Sequence, residues 1–112
     1  LPELAAFAPD LIFISAGFDA HERDEMNFGY VGMAEHDYDW LTRQLVKIAN
    51  ASGARIVSVL EGGYAVHGVT VSAFGRAVAA HVRALCNGSA EAWSDEAEAL
   101  ALDADDARAA AA

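Results

Sequence analysis

The sequence has few of the residues that mark several classes of protein. Its single cysteine, Cys86, excludes an internal disulfide and a zinc site built on paired cysteines, and we expect it to fill a buried helix face. Seven lysine and arginine residues against 17 acidic ones give a formal net charge of -10, which disfavours nucleic acid and anionic lipid as partners. No apolar run approaches the roughly 18 residues of a membrane span, and no signal-peptide pattern opens the chain. The composition predicts a soluble, cytoplasmic protein that binds neither nucleic acid nor membrane.

Two kinds of apolar segment alternate along the chain. The run LIFISA at residues 11–16 has no polar alternation, which is typical of a strand covered on both faces, and ARIVSVL at residues 54–60 is a second β-branched strand. Apolar residues at spacings of three and four predict helices from about residue 36 to 49 and from about 71 to 85. The apolar positions predicted to face the core are Tyr38, Trp40, Leu41, Leu45, Ile48 and Ala49 in the first helix and Phe74, Val78, Val82 and Leu85 in the second.

The order strand, helix, strand, helix predicts the α/β class with a parallel sheet. Two strands alone would leave apolar faces and unpaired edges in water. We therefore predict that the chain is part of a larger folded unit.

Polar and glycine residues follow both predicted strands at their carboxyl ends, where ligands gather in parallel α/β sheets. The first strand is followed by GFDAH at residues 17–21 and the second by EGGY at residues 61–64. From the residues alone, Asp19 and His21 could chelate one metal, since residues two apart in an extended chain point the same way. By themselves, an aspartate just after a strand is more often a turn or cap residue than a ligand, and a tyrosine such as Tyr64 is most often a half-buried aromatic. Glu61 is assigned no catalytic role.

Taken together, SAGFDAH at residues 15–21 and LEGGY at residues 60–64 resemble the C-terminal part of the zinc-dependent histone deacetylase family. The resemblance is to its class II-like form, which includes bacterial histone deacetylase-like proteins and acetylpolyamine amidohydrolases, and it runs from about Phe7 to Leu85. It implies a three-layer α/β/α fold of the arginase/deacetylase type. Residues 1–88 would be the C-terminal portion of the catalytic domain, and residues 89–112 an acidic, alanine-rich tail that is partly helical or frayed.

The same resemblance implies roles for individual residues. Asp19 takes the position of one of three zinc ligands, and Tyr64 that of the hydroxyl that stabilises the oxyanion. Gly62 and Gly63 would let the backbone of their turn approach the substrate channel, and Met26 would form an apolar wall of the acetyl-lysine tunnel. The loop ERDEMNFGY at residues 22–30 departs from the family pattern by its reduced glycine and proline content, so we expect the shape of the tunnel rim to differ from the family's. His21 is left as a loop residue near that rim.

The implied activity is hydrolysis of the acetyl amide of acetyl-lysine or of an acetylated polyamine, with Zn²⁺ as cofactor. The family's other zinc ligands and its paired histidines lie upstream of the matching region, so we expect an inactive fragment when this chain is isolated. The alternative is a non-catalytic α/β module that binds a nucleotide or a partner at the same strand ends. It has less support, because EGGY does not match the glycine-rich or lysine-bearing phosphate loops.

Overall fold

The fold comes from a computed structural model that describes residues 1–68 and 70–86 and positions 104, 108 and 111. In chain order the elements are helix α1 Pro2–Phe7, strand β1 Leu11–Ala16, a 3-10 turn Glu25–Asn27, helix α2 Glu35–Ser52, strand β2 Arg55–Leu60 and helix α3 Ala73–Cys86. The predicted alternation of strands and helices is confirmed. The predicted tail, residues 89–112, lies outside the described residues apart from those three positions.

The two strands form a parallel pair connected through α2, which confirms the α/β class. They pair in register from Leu11 opposite Arg55 to Ala16 opposite Leu60. Both strands therefore end at the same edge of the sheet. The pairing continues beyond them, because the N–H of Glu61 donates to the carbonyl of Ala16 at 3.0 Å.

Helices α2 and α3 cover one face of the sheet. The core joins Ala16, Phe18, Tyr38 and Ala77, with Ile14 packed against it. The opposite face is open among the described residues, where the side chain of Phe13 is 70% exposed. Within the described residues, the first strand is therefore covered on one face only.

Small side chains line the buried face of α3. The buried apolar residues of this helix are Ala73, Ala77, Ala80 and Ala84. The predicted stripe of larger residues is wrong in part, since Phe74 and Val78 are half-buried and Val82 is exposed. Alanines have no bulk beyond Cβ, so their face lets the helix approach its neighbour closely, and the larger side chains lie beside the contact.

The buried face of α2 is more polar than predicted. Asp39 and Arg43 are buried because they pair with each other, with the Arg43 Nε 2.7 Å from the Asp39 carboxylate. Trp40 and Leu41, predicted to face the core, are exposed. Apolar spacing alone could not predict which face of α2 is buried, because a charged side chain that is paired can replace an apolar one at a buried position.

A buried histidine joins both helices to β2. His81 on α3 lies between the Thr42 hydroxyl of α2, 2.7 Å from Nδ1, and the Ser58 hydroxyl of β2, 2.8 Å from Nε2. Burial lowers the pKa of His81, which favours the neutral ring.

Two features of the helices bear on the composition-based predictions. Cys86, at the end of α3, is exposed rather than buried, so its predicted role as core filler is wrong. The described helices include none with the length and apolar character needed to cross a membrane.

Candidate functional site

The loops that follow the two strands meet at the carboxyl edge of the sheet, as the sequence predicted. The N–H of Phe18 donates to the carbonyl of Gly62 at 2.8 Å, which joins the first loop to the second. Phe18 is 2% exposed and packs edge-on against Phe74. The chain direction after each strand is thus determined by a buried aromatic anchor and a backbone hydrogen bond.

Asp19 lies directly over the glycine turn. A Cβ atom at Gly62 would lie 2.8 Å from Oδ2 of Asp19, which is closer than real Cβ atoms approach an oxygen. The glycine at position 62 therefore makes room for the Asp19 carboxylate. Gly63 is required for another reason: its φ of 135° lies where side chains are strained, and a Cβ there would overlap the Phe74 ring.

The Asp19 carboxylate is available to a ligand. It is half-buried, and none of the described residues donates a hydrogen bond to it or forms an ion pair with it. Its backbone carbonyl is held by the Asn27 amide at 3.0 Å. A carboxylate in such a position fits the hard oxygen ligand that zinc accepts. Nowhere in the described part of the chain, however, do three His, Cys, Asp or Glu side chains come together to hold a metal ion.

His21 lies against groups of its own loop and of α2. Its ring is 1% exposed, so His21 is a buried residue of the loop after β1. Its Nδ1 accepts the N–H of Arg23 at 3.1 Å, and its Nε2 lies 3.5 Å from the Glu35 carboxylate. Nδ1 is therefore engaged by the backbone, whereas the buried Nε2 forms no hydrogen bond with the described residues. The alternative of a metal held jointly by Asp19 and His21 stays a prediction.

Glu35 links His21 to α3. Its Oε1 accepts a hydrogen bond of 2.6 Å from Nε of Arg76, and both side chains are buried. Burial by itself would raise the pKa of Glu35, but the interactions with His21 and Arg76 outweigh it and lower the pKa to about 2. The carboxylate thus connects the loop after β1 to both α2 and α3. No sequence signal pointed to this network, because Glu35 and Arg76 are 41 residues apart.

Asp24 is the site residue that sequence reasoning missed. Its side chain is 3% exposed and accepts three backbone hydrogen bonds, from Met26 at 3.0 Å, Tyr64 at 2.6 Å and Ala65 at 3.1 Å. Burial acts to raise the pKa of Asp24, but these hydrogen bonds and nearby His21 outweigh it, so the pKa lies below its usual value. The bond to Met26 is a local turn that the sequence could have suggested, whereas the other two depend on the tertiary fold.

Met26 and Tyr64 lie on one cavity of about 460 Å³. Both side chains are 56% exposed, and Asp24 and Ala65 belong to the same cavity lining. Asp19 is not part of that lining. The structure thus brings the predicted substrate-wall residue and the predicted oxyanion donor to one concave surface, with the Asp19 carboxylate over the adjoining glycine turn.

Known proteins are similar to this chain in sequence. Residues 1–85 match the family model described as histone deacetylase domain. The type-2 histone deacetylase 2 of Dictyostelium discoideum is 40% identical over 86 residues, which are 76% of this chain and 5% of that protein. The type-2 histone deacetylase 1 of the same organism is 36% identical with the same coverage. Histone deacetylase 15 of Arabidopsis thaliana is 36% identical over 73 residues, 65% of this chain and 12% of that protein.

The chain spans only a small part of the curated relatives it matches, between 5% and 12% of their lengths. The match to the domain, in contrast, extends over most of the chain and includes both strands, both loops and almost all of α3. By this match, the chain belongs to the histone deacetylase family.

Proposed function

We propose that this chain is the C-terminal portion of a zinc-dependent deacetylase domain that hydrolyses the acetyl amide of acetyl-lysine or of an acetylated polyamine. One observation carries the proposal: the Asp19 carboxylate, which no described residue engages, lies over the glycine turn that ends in Tyr64. Membership of the histone deacetylase family supports the reaction class. The relatives' names support acetyl-lysine, while the charge of -10 suits either a lysine-rich or a polycationic substrate.

In this proposal the described residues contribute part of a site. Asp19 would hold zinc as one of its ligands, and the remaining ligands and the general base would come from residues upstream of this chain. Zinc, when bound, supplies the Lewis acidity that polarises an amide carbonyl and acidifies water. Met26 would line the path of the acyl-bearing side chain beside Tyr64.

Tyr64 has the chemistry of an oxyanion donor. A neutral phenol donates a hydrogen bond to the acetyl carbonyl oxygen, and that bond strengthens as negative charge grows on the oxygen during attack by water. Its hydroxyl has no hydrogen-bond partner among the described residues, which leaves the donor available to substrate.

The open face of the sheet supports the fragment part of the proposal. Leu11, Phe13, Val57 and Val59 are all exposed, and together they form an apolar surface on the side away from α2 and α3. Such a surface is costly in water. In the proposed domain, upstream elements would cover this face and supply the third layer.

The test compares this chain with a longer natural protein that extends upstream of it, both with zinc supplied, on an acetyl-lysine amide. We expect activity in the longer protein alone. Asp19→Ala should abolish both zinc binding and turnover. Tyr64→Phe should keep zinc bound and lower kcat by about a hundredfold or more.

Tyr30→Phe is the matched control for loss of a tyrosine hydroxyl, because Tyr30 is 88% exposed and lies outside the cavity lining. It should leave kcat unchanged. Turnover by the short chain itself would refute the proposal that upstream residues complete the site. A Tyr64→Phe enzyme as active as the Tyr30→Phe enzyme would refute the oxyanion role.

A further inference from the structure

We propose that Asp24 is a positioning residue for Tyr64: it holds the backbone at Tyr64 and Ala65 and thereby sets where the Tyr64 hydroxyl meets the substrate. The inference rests on the proposed function for its effect on turnover. One oxygen, Oδ2, accepts both the Tyr64 N–H at 2.6 Å and the Ala65 N–H at 3.1 Å. The other, Oδ1, accepts the Met26 N–H at 3.0 Å. A single carboxylate therefore connects the Met26 and Tyr64 sides of the cavity.

A local turn does not account for this aspartate. Capping the short turn Glu25–Asn27 needs only the bond to Met26, and an exposed side chain could make it. Asp24 is instead 3% exposed, and burying a carboxylate is costly unless several donors replace water. Two of its three donors lie 40 and 41 residues away. The burial of this carboxylate is thus explained by the second loop rather than by its own turn.

The segment around Tyr64 needs an external anchor. It follows two glycines, which have the largest conformational freedom of all residues, and residues 61–68 form neither helix nor strand. Besides Asp24, the described backbone hydrogen bonds of Tyr64 and Ala65 are the one from Val66 to Tyr64 and the one from Phe74 to Ala65. Neither of them involves the N–H of Tyr64. Asp24 is therefore the group that restrains the Tyr64 N–H.

Backbone restraint matters here because the Tyr64 side chain has little other support. It is 56% exposed, and its hydroxyl has no partner among the described residues. An oxyanion donor works only within about 3 Å of the oxygen that gains charge. A displacement of about 1 Å can cost on the order of a hundredfold in rate. Loss of the Asp24 carboxylate should therefore lower kcat without removing the metal ligand.

The decisive experiment is a double-mutant cycle in the longer, zinc-loaded protein. Asp24→Asn keeps the shape of the side chain, but it offers one acceptor oxygen and turns an N–H₂ group toward N–H donors. We expect kcat to fall by about tenfold or more, with zinc content and KM within about twofold of the unmodified protein. In a Tyr64→Phe background the same substitution should change kcat by less than about twofold, because the hydroxyl it positions is already gone.

Glu22→Gln is the matched control. It removes one carboxylate from the same loop, and Glu22 is exposed and does not line the cavity. Its kcat should equal that of the unmodified protein. The inference is overturned if Asp24→Asn behaves like Glu22→Gln, or if it lowers kcat equally with and without the Tyr64 hydroxyl.

Amide hydrogen exchange tests the anchor apart from catalysis, and it applies even if Asp24→Asn does not fold. In the unmodified 112-residue protein, the Tyr64 and Ala65 amides should exchange at least about tenfold more slowly than the amide of His67, which has no hydrogen-bond partner among the described residues. Equal exchange rates would overturn the inference. If the unmodified longer protein shows no deacetylase activity, the proposed function fails while this measurement still decides the role of Asp24 in the fold.

Discussion

The buried Glu35 carboxylate predicts how the stability of this protein depends on acid. Its pKa is lowered from an ordinary value of 4.5 to about 2, which corresponds to about 3 kcal/mol of stabilisation of the ionised form. Because the carboxyl group binds a proton at higher pH in the unfolded chain than in the folded protein, its contribution is complete above pH 4.5. It is lost as the pH falls toward about 2. The cause is the pair of contacts with His21 and Arg76.

The perturbation is Glu35→Gln, which keeps the size of the side chain and removes its charge. At neutral pH we expect the free energy of unfolding to fall by about 3 kcal/mol, since breaking a buried ion pair from one side typically costs about 3–5 kcal/mol. As the pH falls from 4.5 toward 2, Glu35 of the unmodified protein binds a proton in the unfolded chain before it does so in the folded protein, and the stabilisation is lost. The difference between the two proteins should then shrink.

The assay is urea denaturation followed by circular dichroism, at about pH 7 and at steps down to about pH 3. Glu22→Gln serves as control, because it removes an exposed carboxylate and should change the free energy of unfolding by less than about 0.5 kcal/mol. A loss below about 1 kcal/mol for Glu35→Gln at neutral pH would refute the reasoning. A difference that does not depend on pH would refute it as well.

Three further substitutions test the packing at the strand ends. Gly62→Ala should displace the Asp19 carboxylate and lower the zinc affinity of the longer protein, measured by titration, by about 10–100-fold. An unchanged affinity would contradict the close contact. Gly63→Ala should lower the free energy of unfolding by about 2–5 kcal/mol, because it places a Cβ at a positive φ and against the Phe74 ring. A midpoint of thermal denaturation equal to that of the unmodified protein would disprove this. Phe18→Ala should cost about 3–5 kcal/mol in urea unfolding, since the ring is 2% exposed; a loss under about 1 kcal/mol would contradict its role as anchor.

The parts of the fold that sequence reasoning predicted are those with a local cause. The apolar run at residues 11–16 and the β-branched run before EGGY are strands, and the periodic segments are helices, because spacing and propensity act within one element. Parallel pairing then required both strands to end at one edge, so the GFDAH and EGGY loops had to be neighbours. The meeting of Asp19 with the glycine turn follows from these local facts.

The errors fall where burial depends on a partner outside the element. Trp40 is exposed while Arg43, on the same helix, is buried, because Arg43 pairs with Asp39. On α3 the alanines rather than Val82 form the contact. Periodicity shows that a helix has two faces, but the choice of buried face depends on the shape and charge of the neighbouring element.

The sequence by itself determined the strand and helix order, the family, and the positions of Asp19 and Tyr64 at the two strand ends. Tertiary structure alone decided which polar groups support them: the His21, Glu35 and Arg76 network and the Asp24 carboxylate at the Tyr64 backbone. The physical reason is that a hydrogen bond between residues about 40 positions apart leaves no periodic or local pattern in the chain. It exists only once burial and strand pairing have brought a donor and an acceptor within about 3 Å.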